Sequence, residues 1–578
     1  MWQRNPTFLE ARHVAAPRSP AEVPSQTAVV ARAAFPRGNP YMRLRDELGT
    51  VFTDAQFTAL FSCRGRPAEA PCRLALVTVL QFAENLSDRR AAEAARGRID
   101  WKYLLGLDLT DPGFDASVLS EFRSRLVAGH AETLLLDTLL ALCRERQLLV
   151  ARGRQRTDST HVLGAVRSLN RLGCVTETLR ATLNGLAVAA PDWLRVHAEG
   201  SWNERYAKPI DDLYVPQGEA ARRAHAEPIG RDGHTLLAAV FSPDAPAWLR
   251  EIPAVILLSR VWLQNFQIVP VDDETGAKDD VDHTKPQTTR VVWRTSSEGI
   301  PPSLLMIASP YDPQTHYARK RSTTGIGYKV HLTETCDADR PRLITHVATT
   351  LAPVADRDAL GSIHADLAAH DRLPDTHLVD AGYVDADLLL ASTRDHAVTL
   401  LGPSPQDTQW QSRQSGAFRL QDFQIDWDRK SATCPAGHTT TNWSPDHNVG
   451  RTVMRIRFSS ADCKPCALKE NCTRSPRRLL TPRRREEHAA LKAARAREAD
   501  ETFAEQYRWR AGIEGTLSLG VPTMHLRRAR YLGLAKVHLQ HVLTAAALNI
   551  GRIIDWLAGE TVASTRRSPF PRLISQAA

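Results

Sequence analysis

From about residue 320 to 405 the chain alternates short apolar runs with amphipathic stretches, and this alternation constrains the fold more than any other feature. GYKVHLTET, RLITHVATTLAP, THLVDAG and AVTLLGP are runs of strand length. DRDALGSIHADLAAHDRL and DADLLLASTRDH fall between them with helical spacing. Strand, strand, helix, strand, helix, strand is the pattern of a mixed sheet covered by helices, an α/β or α+β core. Two more strand-like runs follow, FRLQDFQIDWD and RTVMRIRFS, and residues 484–557 return to helix.

Upstream the pattern is different. Residues 1–40 carry Pro17, Pro20, Pro24, Pro36 and Pro40 with little periodicity and read as a mobile arm. Residues 41–150 read as an all-helical domain: Leu76, Val79, Leu80 and Ala83 recur at i, i+3, i+4 and i+7, behind a Pro71 at the helix start. Further helices are expected at 117–126 and 131–149. Arg89, Arg90, Arg96, Arg98, Lys102, Arg123 and Arg125 lie on its polar faces, as solvated helix surface or as a DNA-binding face. Residues 151–433 form the expected core, interrupted at about 170–315 by an insertion. That insertion begins helically and carries an acidic loop near 270–287, a charge run that reads as solvated surface. Residues 434–475 form a cysteine-rich element, 476–560 basic and helical segments that complete the core, and 561–578 a tail.

The 578 residues carry a formal net charge of +9, which is compatible with a nucleic-acid partner. No apolar run approaches the roughly 20 residues of a membrane span, and the N-terminus lacks the apolar core of a secretory signal. A cytoplasmic protein with no membrane partner is expected. Nine cysteines, five of them scattered singly (Cys63, Cys72, Cys143, Cys174, Cys336), argue for reduced thiols rather than a disulfide framework.

Three acids draw the chemistry together. Asp158 in RQRTDSTHVL and Asp380 in THLVDAGYV each close a β-like run, and Glu514 in YRWRAGIEGTLSLG lies on a helix. Singly each is an ordinary turn, cap or surface acid. Together they can surround two divalent ions about 3.5–4 Å apart, the arrangement that cuts and rejoins phosphodiesters. Magnesium needs few protein carboxylates, since water and phosphate oxygens fill its remaining positions. Tyr507, Arg510 and Glu514 fall at i, i+3 and i+7, on one face of a helix.

This spacing, Tyr507–x2–Arg510–x3–Glu514, resembles the signature around the last catalytic acid of DDE transposases of bacterial insertion sequences. RTDSTHVLGAVRSLNRL, GYKVHLTETCD and VDAGYVDADLL look like the other blocks of that group in the same order, and LQFAENLSDRRAAEAARGRIDWKYLLGL like its helical N-terminal domain. The resemblance spans roughly residues 40–560. It implies an RNase H-like mixed-sheet core whose Asp158, Asp380 and Glu514 hold two Mg2+ (or Mn2+) ions. It also implies double-stranded DNA as partner, both element ends with terminal inverted repeats and target DNA. Action as a homo-oligomer in the bacterial nucleoid follows, with strand cleavage and transfer by direct attack. Tyr507 and Arg510 would lie against the phosphate backbone. One position departs: the lysine expected seven residues after the glutamate is Val521, with His525, Arg527 and Arg528 arriving later. Lys329 reads as a further phosphate contact or as an outward-facing strand lysine. Asp356 and Asp358 read as helix-start acids favoured by the dipole. The alternatives are a DNA-binding derivative that no longer cuts and an RNase H-like nuclease without strand transfer. A zinc hydrolase would need paired helical histidines, which the sequence lacks.

Two constellations remain. Cys434 in CPAGH and Cys463, Cys466 and Cys472 in CKPCALKENC have the spacing of a structural zinc ribbon, with His438 as a substitute ligand. A redox CxxC is the competitor, without the βαβ context such a motif uses. The stretch TRSPRRLLTPRRREE holds Arg477, Arg478, Arg483, Arg484 and Arg485, a phosphate-neutralising patch or a solvated basic helix.

Overall fold

The run Arg152–Leu163 (β1) lies at the centre of a six-stranded mixed sheet in the computed structural model, which describes residues 13–14, 22–62, 66–210, 216–270, 289–320, 323–405, 407, 409–448 and 451–560. Antiparallel to β1 on one side runs Thr323–Thr335 (β2), which pairs in turn with Ile344–Leu351 (β3) and with the edge strand His316–Lys320. Parallel to β1 on the other side runs Pro374–Leu378 (β4), followed outward by Thr399–Leu401 (β5). Helices Asp356–Ala369 (α1) and Ala386–His396 (α2) cover one face, burying Leu360, Ile363 and Leu389 against Val379 and Leu400. This is the RNase H-like arrangement, reached from the alternation expected over 320–405.

Alternation along β2 sorts its side chains. Tyr328, Val330 and Leu332 face an apolar core shared with helices Gly512–Met524 (α3) and Leu534–Leu557 (α4), while Lys329 and His331 face α1 and the turn after β4. The middle of helix α4, residues 539–550, is buried on every side. One side packs on β3, and the others on the N-terminal helices Pro71–Ala83 and Leu134–Glu145. The N-terminal helices and the six-stranded sheet therefore share one core.

Several expectations change. Within the arm expected over residues 1–40, Ser25–Ala34 is a helix: Thr27 donates to the Leu107 carbonyl at 2.8 Å and Ala31 packs on Met42 and Tyr103. Pro24 and Pro36 flank this helix rather than interrupt it. The insertion is a helical subdomain with its own core, built on Arg171–Ala189, Glu219–Val240 and Pro253–Asn265 and closed by a hairpin, Phe266–Pro270 with Thr289–Trp293. The acidic loop lies at residues outside the described ones, as does the tail at 561–578. FRLQDFQIDWD forms only a three-residue strand, Gln424–Asp426, after a short turn at Leu420–Asp422. Among the described residues no helix is long and apolar enough to cross a membrane.

Candidate active site

The β1–β4 ladder runs from Arg152 opposite Pro374 to Arg156 opposite Leu378. Two residues beyond that last pair come Asp158 on one strand and Asp380 on the other, side by side at the carboxyl end of a parallel pair. Open α/β sheets place their ligands there. Asp158 does not close its strand as expected. It sits in the middle of β1, which continues to Leu163 against β2 after β4 has ended. The Asp158 Oδ1 accepts from the Ser159 amide at 2.7 Å, and the Asp380 Oδ1 from the Gly382 amide at 2.8 Å, which fixes both carboxylates.

Tyr507, Arg510 and Glu514 do not share one unbroken helix. Helix Glu501–Tyr507 gives way to a 3-10 turn at Arg508–Ala511, and α3 begins at Gly512. Short 3-10 stretches inside helices recur at functional sites and strained sequences. Here the turn carries Arg510 onto the sheet: its guanidinium donates to the Asp158 Oδ2 at 2.8 Å and to the Glu514 Oε1 at 2.9 Å. Burial opposes the Arg510 charge, but Asp158, with Asp380 and Glu514 behind it, more than offsets burial and raises the pKa. The Arg510 side chain is 15% exposed, whereas Glu514 is 62% exposed and faces an open cleft. Asp158, Asp380, Arg510 and Glu514 all line that cleft, together with Thr160 and Arg527. Tyr507 stacks on Phe503 with centroids 5.3 Å apart, and burial raises its phenol pKa.

A buried ionic network holds the turn in place. Arg156, two residues before Asp158, donates through Nε to the Glu334 Oε1 at 2.7 Å and through Nη1 to the Trp509 carbonyl. Arg552 of α4 donates to the Glu334 Oε2 at 2.8 Å, and Thr516 of α3 to the same oxygen at 2.6 Å. Burial alone would push the Glu334 carboxyl up; Arg552 and Arg156 outweigh it and hold the pKa below the ordinary value. Gly512 is required by this contact, because a Cβ there would lie 2.1 Å from the Arg156 Nη1. Arg156, Glu334 and Gly512 were not singled out from sequence, where a strand Arg and Glu 178 residues apart carry no local signal.

Residues 433–554 match the family model of the transposase DDE domain, and residues 29–125 that of a transposase domain, DUF772. Both matches support a DDE-type transposase of an insertion sequence. No curated protein and no solved structure matches it. The matched stretches include Glu514 and the four clustered cysteines. Asp158 and Asp380 lie outside both, so their place in the site rests on the strand register above.

Other expected contacts are placed differently. Lys329 is buried, donating to the Asp356 Oδ1 at 2.9 Å and to the Val354 carbonyl at 2.5 Å, so its ammonium points into the fold. Asp356, read as a helix-start acid, also accepts from the Ser159 hydroxyl at 2.9 Å. Burial pushes its carboxyl up, and Lys329 brings it down below the ordinary range. Arg483 pairs with Asp385 at 3.1 Å and Arg485 with Asp428 at 2.7 Å, acids supplied from distant sequence, while Arg484 is exposed at a helix start. Among the N-terminal cations, Arg98 pairs with Glu84 and Asp100, Arg123 with Asp88, and Arg125 with Glu121; the Lys102 amine is buried on the carbonyls of Asp108 and Asp111. Arg89, Arg90 and Arg96 remain exposed. Val521 packs on the core, but His525 ends α3 in a left-handed conformation and turns the chain back to β1. Arg527 thereby reaches the cleft and donates to the Thr160 hydroxyl at 2.8 Å.

Cys434, Cys463, Cys466 and Cys472 line one small cavity with His438. As they stand, no three or more His, Cys, Asp or Glu side chains among the described residues are closed up into a metal-ligand set.

Proposed function

We propose that this transposase binds the terminal inverted repeats of its own insertion sequence, as a homo-oligomer, and catalyses divalent-metal-dependent strand cleavage and strand transfer. The observation that carries this reading is the convergence of Asp158, Asp380 and Glu514 on one cleft, with a guanidinium bridging two of the three. The site is thus already organised around positive charge. Its donors are hard carboxylate oxygens, the set that suits Mg2+ or Mn2+ rather than softer metals. Asp158, Asp380 and Glu514 would hold the metal. When bound, divalent ions activate the attacking oxygen and stabilise the leaving one.

The remaining residues position DNA. Glu514, exposed on the first turn of α3, can swing toward the two fixed aspartates once its contact with Arg510 is exchanged. Arg510 and Arg527 flank the acids from opposite ends of α3 and supply charge-assisted hydrogen bonds to phosphates on either side of a scissile bond. Tyr507 adds an aromatic hydroxyl beside them. Arg156 and Glu334 act through Trp509, setting where the turn lies.

The test is to incubate the full chain with duplex DNA taken from either flank of its reading frame, with Mg2+. Nicking at a defined end supports the reading. Tight end binding without cleavage in Mg2+ or Mn2+ favours the binding-only alternative, and cleavage without joining to target DNA favours a nuclease.

A further inference from the structure

Four thiols have no part in the phosphoryl chemistry, and the fold gathers them from three places. Cys434 opens a tight turn in which the Gly437 amide donates to the Cys434 carbonyl at 2.8 Å and the Cys434 amide to the His438 carbonyl at 2.9 Å. Gly437 takes φ +87°, a conformation that glycine adopts without strain. Cys463 ends the short helix Ser460–Cys463, Cys466 follows in the loop, and Cys472 ends the short helix Lys469–Cys472. All four line a cavity of about 20 Å³ walled by Phe418 and Phe458, room for one small ion. All four are free thiols.

A second observation comes from a cation. Arg478 lines the same cavity and is 4% exposed. Its Nη1 donates to the Cys472 carbonyl at 2.8 Å and its Nη2 to the Phe418 carbonyl at 3.4 Å, but its Nε is buried without a partner. A buried, unsatisfied guanidinium N–H is costly unless an acceptor arrives.

We propose that Cys434, Cys463, Cys466 and Cys472 bind one zinc ion as a tetrahedral tetrathiolate, with the Arg478 Nε donating to a bound thiolate. The thiols rotate inward on the cavity they share and release protons as zinc enters. Four thiolates and Zn2+ leave a net charge of −2, which Arg478 partly offsets. With four protein ligands no position is left for water, so the role is structural. What zinc holds together is the segment that carries the chain from Asp380 to Glu514. Strand Arg451–Arg457 of the same element pairs Arg451 with Asp385 at 2.5 Å, and Asp385 caps α2.

Elemental analysis of the full chain, purified without added metal, should give about one zinc per chain. Cobalt exchanged into the same protein should show the visible and near-ultraviolet absorption of a tetrahedral thiolate site. Cys463→Ser and Cys472→Ser should each abolish that spectrum, His438→Ala should leave it unchanged, and Arg478→Leu should weaken zinc binding about 10- to 100-fold. Folded wild type that carries no zinc and takes up no cobalt would overturn the proposal. So would a Cys463–Cys466 disulfide, or zinc retained at full stoichiometry when all four cysteines are serine. These readouts use neither DNA nor cleavage, so they stand or fall separately from the transposition reading.

Discussion

Gly512→Ala tests whether the Arg156 contact sets the site. A Cβ at 512 would lie 2.1 Å from the Arg156 Nη1 and 2.5 Å from its Cζ and Nη2, about 1.3 Å inside ordinary contact. Arg156 is fully buried and cannot swing into solvent. If the guanidinium yields, it leaves the Trp509 carbonyl and loosens from Glu334; breaking a buried pair costs about 3–5 kcal/mol. Helix propensity returns at most about 1 kcal/mol for Gly→Ala, so a net loss of about 2–4 kcal/mol is expected. If the backbone yields instead, Arg510 and Glu514 shift by about 1 Å, and a misplacement of that size costs about 100-fold in rate. Gly515→Ala is the control, since a Cβ there meets nothing within 4 Å. The assay is urea denaturation together with end cleavage for both variants. Gly515→Ala should match or slightly exceed wild type in stability, and Gly512→Ala should lose stability, activity or both. Equal behaviour of the two variants would refute the reasoning.

Lys329→Met should lower stability by about 3 kcal/mol, because it strands Asp356 in a largely buried site, and adding Asp356→Asn should restore most of that loss. If Lys329 instead contacts phosphate, Lys329→Met will weaken DNA binding and leave the denaturation midpoint unchanged. Arg527→Ala should weaken end binding and lower the slope of log K against log salt by about 0.9, the release of one counterion; an unchanged slope would remove Arg527 from the DNA path. Acidification should destabilise the fold, because burial depresses His364 and His538 to about 4 and His541 to about 3. Their pKa values in the unfolded chain are near 6.5, so the unfolded state binds more protons between about pH 6.5 and 4, and stability is lost as pH falls through that window. The urea midpoint should drop from pH 7 to pH 5; a flat or rising midpoint would contradict neutral buried histidines.

The core was legible where local pattern decides structure. The strands and helices over 320–405 follow from period-2 and period-3.6 spacing, and that spacing also located Asp380 just past its strand. Pairing partners distant in sequence were not legible. Arg483 and Arg485 read as an unopposed basic patch because Asp385 and Asp428 lie 98 and 57 residues away. Lys329 read as a phosphate contact or an outward-facing strand lysine because nothing local shows that Asp356 will meet it. The insertion read as helical only at its start, because Pro228 interrupts the pattern of Glu219–Val240 without ending the helix. The chain's return from His525 to β1, which brings Arg527 into the cleft, depends on a single left-handed residue that no periodicity signals.

The most direct test of the acid trio compares wild type with Asp380→Asn on DNA from the flanks of the reading frame, with Mg2+ or Mn2+, measuring cleavage and end binding in the same samples. The expected result is metal-dependent cleavage at a defined end by wild type, abolished in Asp380→Asn while end binding is retained. Cleavage that survives in Asp380→Asn would contradict the assignment and place the chemistry elsewhere.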